Sequence, residues 1–132
     1  MIFVDTGMFL GLYHKRDQHH ADAHRIWRAV KAPRITSNHV IDEVATALAR
    51  LAGYLESAGQ VEHLYASQAV DIVSSTREDE LEAIRWMRKY AGQYVSFTDC
   101  VSFALMRRCG VDKALTFDRH FRDAGFEVVD LP

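Results

Sequence analysis

The sequence predicts an α/β protein built around a parallel sheet, on three observations. Met1-Ile2-Phe3-Val4 is a continuous apolar run, partly β-branched and without polar alternation, which marks a strand covered on both faces. It stops at Asp5-Thr6-Gly7, where helical spacing (Met8, Phe9, Leu12) takes over. Further short apolar segments then alternate with helix-period segments along the rest of the chain. In such sheets ligands sit beyond the carboxyl ends of the strands, where the strand order reverses. Asp5 stands at one such end, so the distribution of the other acids matters most.

Strand one covers Ile2–Asp5 and feeds a short helix ending near Tyr13-His14. A second helix over Gln18–Lys31 turns Ala21, Ile26, Trp27 and Val30 inward, and Pro33 closes it. Ile35-Thr36-Ser37 is a weak second strand. Val40, Val44, Ala47, Leu48 and Leu51 then form a helical stripe that stops at Gly53. A fourth helix spans about Leu55–Ala66, and Val70–Val73 is the third strand. Glu78–Ala91 reads as a helix with Leu81, Ile84, Met87 and Ala91 inward and Gly92 as its stop. Ser96–Cys109 is the sixth helix, ended by Gly110. Ala114–Phe117 is the fourth strand, Arg119–Asp123 a short helical turn and Phe126–Val129 the fifth strand.

A chain of 132 residues, 48% hydrophobic and 26% charged, fits one domain over residues 1–132 with a core of its own. The formal net charge of -2 provides no global basic field, so a nucleic-acid interface would need a local basic stripe. No apolar run reaches transmembrane length, and the apolar start is too short for a signal peptide; the expectation is no membrane contact. Cys100 and Cys109 share one predicted helix, roughly 13 Å apart along its axis, too far for a bridge. Reduced thiols fit a cytoplasmic protein.

Four acids remain, each with an ordinary reading beside a functional one. Asp5 can cap the helix that follows it. Asp99 lies three residues after Ser96, the spacing of a capping box. Asp118 follows the fourth strand and can cap the turn after it. Glu43 sits on the inward edge of its apolar stripe, whereas Asp42 points to solvent. A charge there needs a partner, either an arginine or a ligand. If strands one and four are neighbours across the switch point, all four acids converge. Clustered carboxylates stay ionised only around a cation. Oxygen donors with no nearby His or Cys at zinc spacing favour Mg²⁺ or Mn²⁺.

Val-Asp-Thr at positions 4–6, Ile-Asp-Glu-Val-Ala-Thr-Ala-Leu at 41–48, Ser-Phe-Thr-Asp-Cys-Val-Ser-Phe-Ala-Leu at 96–105 and Leu-Thr-Phe-Asp-Arg-His-Phe at 115–121 together resemble the PIN domain. The likeness is to its compact VapC-type toxins and covers the whole chain. It implies a three-layer PIN-like sandwich whose five-stranded parallel sheet has order 3-2-1-4-5. It also matches Asp5, Glu43, Asp99 and Asp118 to the family's metal-binding acids and Thr116 to a supporting hydroxyl, with Thr6 a polar neighbour.

The activity implied is a Mg²⁺- or Mn²⁺-dependent endoribonuclease, the toxin of a type II toxin–antitoxin pair. Metal held by carboxylates acidifies water and neutralises phosphoryl oxygens, and hydrolysis would leave a 5′-phosphate and a 3′-hydroxyl. Asp5 and Asp99 are expected as primary ligands, with Glu43 and Asp118 completing the shell partly through water and Thr116 orienting it. Expected partners are RNA, a VapB-like antitoxin with an Arg or Lys for the acidic pocket, and a second copy of the chain in a homodimer.

Arg107, Arg108 and Arg119 are candidates for a basic rim on the RNA phosphates. His19, His20 and His24 suggest zinc, but no further ligand is placed to close such a site. A phosphoaspartate hydrolase would carry a second Asp where Gly7 stands, and a phospho-receiver domain would pair acids at the first strand. Neither explains Glu43. A housekeeping PIN nuclease and a non-catalytic PIN binding module are the remaining alternatives, the latter usually marked by lost acids.

Overall fold

The computed structural model describes residues 1–130 and contains a five-stranded, all-parallel sheet of order β3-β2-β1-β4-β5. In chain order the elements are β1 (Ile2–Val4), α1 (Thr6–Tyr13), α2 (His20–Ala29), β2 (Arg34–Ser37), α3 (Asn38–Ala52), α4 (Tyr54–Ala66), β3 (Val70–Val73), α5 (Arg77–Lys89), α6 (Phe97–Cys109), β4 (Lys113–Leu115), α7 (His120–Asp123) and β5 (Glu127–Val128). A 3-10 turn, Ala91–Gln93, joins α5 to α6. The order is the one expected, and it makes β1 and β4 neighbours.

β1 is fully buried, as an unalternating apolar strand must be, and its Phe3 and Val4 pair with Ala114 and Leu115 of β4. The Asp5 N–H extends this ladder by donating to the Leu115 carbonyl at 3.1 Å. On the other side Ile2 and Phe3 pair with Arg34 and Ile35 of β2. α1 and α2 pack closely enough that a Cβ on Gly11 would lie 2.8 Å from that of Ala23, so only glycine fits there. On α2 the inward residues are Ala23 and Ile26, with Trp27 and Val30 half-buried; Ala21 is exposed, contrary to expectation.

Ser37 caps α3 by accepting from the Val40 N–H, and the helix ends at Gly53 with φ 96°. Val40, Ile41, Val44 and Leu48 are buried along it, but Leu51 is exposed on the last turn. α6 is the central helix: all eight residues from Asp99 to Met106 are buried.

The largest departure from the sequence pattern is α5. Leu81, Ile84 and Met87 are exposed, and so is Ala91, which lies beyond the end of the helix. The opposite face packs instead: Asp79 and Ala83 are buried, with Trp86 and Tyr90 set against the core. A periodic stripe shows that a helix is amphipathic, but not whether a single chain covers its apolar side. Gly92 is not the helix stop either; α5 ends at Lys89, with Tyr90 as its cap residue.

Asp79 explains the inversion. It completes a capping box with Thr76 at the start of α5, and Arg108 of α6 grips its carboxylate with Nε to Oδ1 at 2.8 Å and Nη2 to Oδ2 at 2.9 Å. Burial alone would raise this carboxyl; the Arg108 bonds and the Thr76 N–H outweigh it and hold it below its usual range. Replacing Arg108 with Ala leaves the buried carboxylate short of its cation. Chemical denaturation should show a loss of about 1.5–3 kcal/mol, and an unchanged midpoint would show that the pair contributes nothing.

Candidate metal centre

The acids meet at the carboxyl ends of β1 and β4. Asp5 is the residue after β1, 4% exposed, and its side chain makes no cap bond to α1. The hydroxyl of Thr116 holds it instead, donating to Asp5 Oδ2 at 2.7 Å. The same hydroxyl accepts the Asp118 N–H at 3.0 Å, so one side chain ties the two strand-end acids together. Asp118 Oδ1 in turn accepts the His120 N–H at 2.9 Å, which closes the turn into α7. Asp118 thus braces the turn ahead of α7 rather than standing at its cap position, which Arg119 occupies.

Asp99 enters from the first turn of α6 and is 8% exposed. Its backbone N–H donates to Ser96 Oγ at 3.1 Å, so Ser96 caps the helix and leaves the carboxylate for other contacts. Glu43 on α3 is half-buried and near enough for its charge to raise Asp5 and Asp99, while Asp42 beside it is exposed. Among the described residues no arginine or lysine forms an ion pair with Glu43.

Like charge adds to burial at two of these acids. Burial, then the charges of Asp5 and Asp118, push the Asp99 carboxyl up to about 9, with Glu43 adding to the effect. Burial raises Asp5 to about 6, against the lowering effect of the Thr116 hydroxyl and the Thr6 N–H, with Asp118 and Glu43 adding like charge. Asp5 Oδ1 and the Thr6 hydroxyl, both buried, have no hydrogen-bond partner among the described residues. Unsatisfied buried oxygens in a knot of carboxylates are what a hard divalent cation would satisfy, so the residues fit Mg²⁺ or Mn²⁺.

One potential ligand type escaped the sequence reading. His120 stands with Asp99 and Asp118, one potential ligand atom from each lying within 4.8 Å of the others. Its Nδ1 is 3.0 Å from Asp118 Oδ1. Its only trace in the sequence is spacing, a His two residues after an acid expected to cap a turn. His19 stacks on Phe117 with centroids 4.1 Å apart, and both line a cleft of about 210 Å³ with Thr116, Asp118, Arg119 and Arg122. Larger concavities lie elsewhere, along α2 and between α3 and α4.

Of the basic rim, only Arg119 lies beside the acids, exposed at the cleft. Arg108 is committed to Asp79, and Arg107 lies over the Phe126 ring at 4.7 Å with a bond to the Ala124 carbonyl. Both leave the opposite end of α6 from Asp99, so the structure does not bring them to the site. His20 and His24 spend ring nitrogens on the Gly11 and Leu12 carbonyls, which accounts for them without zinc. Cys100 is buried beside Asp99; burial, then the Asp99 charge, raises its thiol to about 11, while Cys109 is half-buried and free.

These raised acids set a pH dependence with a definite sign. A carboxyl with a higher pKa folded than unfolded, about 3.9 for Asp, favours the fold at low pH. That contribution is lost as pH rises through the folded value. Metal-free protein should therefore lose stability from about pH 4 upward, first through the Asp5 value of about 6 and then toward the Asp99 value of about 9. Asp99→Asn should flatten the upper part, melt higher than the parent in chelator near pH 8, and gain less on adding Mg²⁺. The Ser96 cap, which uses a backbone N–H, survives the change. If the variant melts lower in chelator and gains as much from Mg²⁺ as the parent, Asp99 is not part of a metal centre.

Comparison with known proteins places this arrangement. Residues 2–127 match the PIN domain. The chain is 36% identical over 126 residues to the 23S rRNA-specific endonuclease VapC20 of Mycobacterium tuberculosis, covering 96% of this chain and 95% of that one. The crystal structure of M. tuberculosis VapC20, described as a sarcin-ricin loop cleaving toxin, superposes with a TM-score of 0.89 at 33% identity, over 96% of each chain. A toxin–antitoxin complex from Klebsiella pneumoniae shares the fold, with a TM-score of 0.71 at 12% identity over 98% of this chain and 97% of that one. The chain belongs to the PIN-domain family, as a VapC-type member.

Proposed function

We propose that this chain is a divalent-metal-dependent endoribonuclease, the toxin of a toxin–antitoxin pair, and that it cuts ribosomal RNA of the large subunit. The observation that carries the reading is the Asp5 carboxylate: buried, gripped on one oxygen by Thr116, unpartnered on the other, and surrounded by three acids. The ribosomal substrate is carried over from the VapC20 relative, whose likeness spans nearly the whole of both chains.

Asp5 and Asp99 would be the main ligands of Mg²⁺ or Mn²⁺, with Glu43 and Asp118 completing the set. Such a centre acidifies water for attack and offsets charge on the phosphate. Thr116 fixes the Asp5 carboxylate and, through the Asp118 N–H, the strand end that carries the fourth acid. Arg119, exposed at the cleft, would hold a backbone phosphate. The parallel stack of His19 and Phe117 beside it offers an aromatic edge for an unpaired base.

Two exposed apolar faces support the expected protein partners. Leu81, Ile84 and Met87 line one on α5; Tyr54 and Tyr65 border another between α3 and α4. An antitoxin and a second copy of the chain are the occupants this reading requires. Among the described residues no helix is long and apolar enough to cross a membrane, in keeping with action on cytoplasmic ribosomes.

Purified protein should cleave ribosomal RNA with Mg²⁺ or Mn²⁺ and fall silent in chelator. Asp5→Asn and Asp99→Asn should each lower the rate at least about a hundredfold, whereas Asp42→Asn and Arg108→Lys should leave it near that of the parent. Equal loss from Asp42→Asn would overturn the placement of Glu43 at the site.

Co-expression with the small protein encoded beside the toxin gene should suppress cleavage. Size-exclusion chromatography should show the two proteins co-eluting. Cleavage unchanged by that protein would sink the toxin reading and leave a free-standing nuclease.

A further inference from the structure

We propose that His120 is a ligand of the metal, supplying a ring nitrogen that makes this centre prefer Mn²⁺ to Mg²⁺. The inference rests on reading the acids as a divalent-metal site and adds a donor outside the carboxylate set.

The geometry begins with two constraints on the ring. The Asp118 carboxylate accepts the His120 N–H at 2.9 Å, which fixes the backbone of this first residue of α7 against the acid. The ring then returns over the same oxygen, with Nδ1 3.0 Å from Oδ1. Without an ion, a shared proton accounts for that distance. It is also the separation of two adjacent ligands on one octahedral ion, since bonds of about 2.1 Å at right angles span about 3.0 Å. Asp99 completes the group, with one potential ligand atom each from Asp99, Asp118 and His120 lying within 4.8 Å of one another. An ion seated there would take the place of the proton, which would leave to solvent.

A second observation points to an ion independently of this triad. Asp5 Oδ1 is buried without any hydrogen-bond partner, and Asp5 is the carboxylate whose charge acts most strongly on Asp99. The orphaned oxygen and the triad thus share Asp99 as a common neighbour. His120 itself is well enclosed, its side chain 19% exposed, so the ring is not free to swing away into solvent.

Selectivity follows from ligand chemistry. Mg²⁺ is hard, binds oxygen and keeps several waters, so it gains little from an imidazole. Mn²⁺ tolerates mixed oxygen and nitrogen donors. A carboxylate-only centre would discriminate less.

The test uses intact protein and the metal alone. Electron spin-echo spectroscopy of bound Mn²⁺ should show imidazole ¹⁴N coupling in the parent and lose it in both His120→Gln and His120→Ala. Calorimetric titration should show Mn²⁺ binding weakened about ten- to a hundredfold in both variants, with Mg²⁺ binding changed far less. His120→Gln keeps an amide donor for Asp118, which guards against misreading a disturbed turn. Absence of nitrogen coupling in the parent overturns the proposal, as does coupling that survives both substitutions. Parallel loss of both metals in the alanine variant, with recovery in the glutamine variant, would also overturn it by reducing His120 to a support for Asp118. Nitrogen-coupled Mn²⁺ in a protein that leaves RNA intact would reject the nuclease reading and keep this one. Cleavage without nitrogen coupling would do the reverse.

Discussion

A single hydroxyl ties together the acids at two strand ends of this fold. Thr116, just past the end of β4, donates to Asp5 at the end of β1 and accepts the N–H of Asp118. Its reach depends on the register of the two strands, with Phe3 opposite Ala114 and Val4 opposite Leu115. A one-residue slip would turn Thr116 to the other face and part the acids. That register is secured by burial: β1 and the inner residues of β4 are wholly enclosed, and polar substitutes there would lose their hydration. The site therefore inherits its precision from the apolar strands beneath it rather than from the loops around it.

The same enclosure makes the site costly to assemble. Burial and like charge push both Asp5 and Asp99 toward their neutral forms, with Asp118 and Glu43 acting on Asp5 and with Asp5 and Asp118 acting on Asp99, so folding works against ionisation. Elsewhere the chain handles a buried acid differently. Asp79 is equally enclosed, yet Arg108 and the Thr76 box satisfy it within the chain, and its pKa falls. The contrast separates the acid that stabilises the fold from those that do not. Natural sequences concentrate such local conflicts where function needs them.

Much of this was legible in the sequence, for identifiable reasons. Strand ends and helix starts are marked by short-range chemistry, so Asp5, Asp99 and Asp118 could be placed from their neighbours alone. The choice of Glu43 over Asp42 came from the period of α3, and the structure buries them in that order. Periodicity failed on α5 because the face it identified is left exposed among the described residues, while the true inner face carries Asp79 and small or aromatic residues. Arg107 and Arg108 misled for a related reason: proximity in sequence to Asp99 ignored the length of α6 between them. His120 went unread because its relation to Asp118 is set by the turn between them, which composition does not report.

The two thiols have a practical consequence. Cys100 is enclosed behind the acids with its thiol raised to about 11, whereas Cys109, at the far end of α6, is half-buried and free. Thiolate is the reactive form, so a maleimide dye offered near neutral pH would attach at position 109. With the acids untouched, the protein could be tethered or made fluorescent by a single label, without first rebuilding its cysteines.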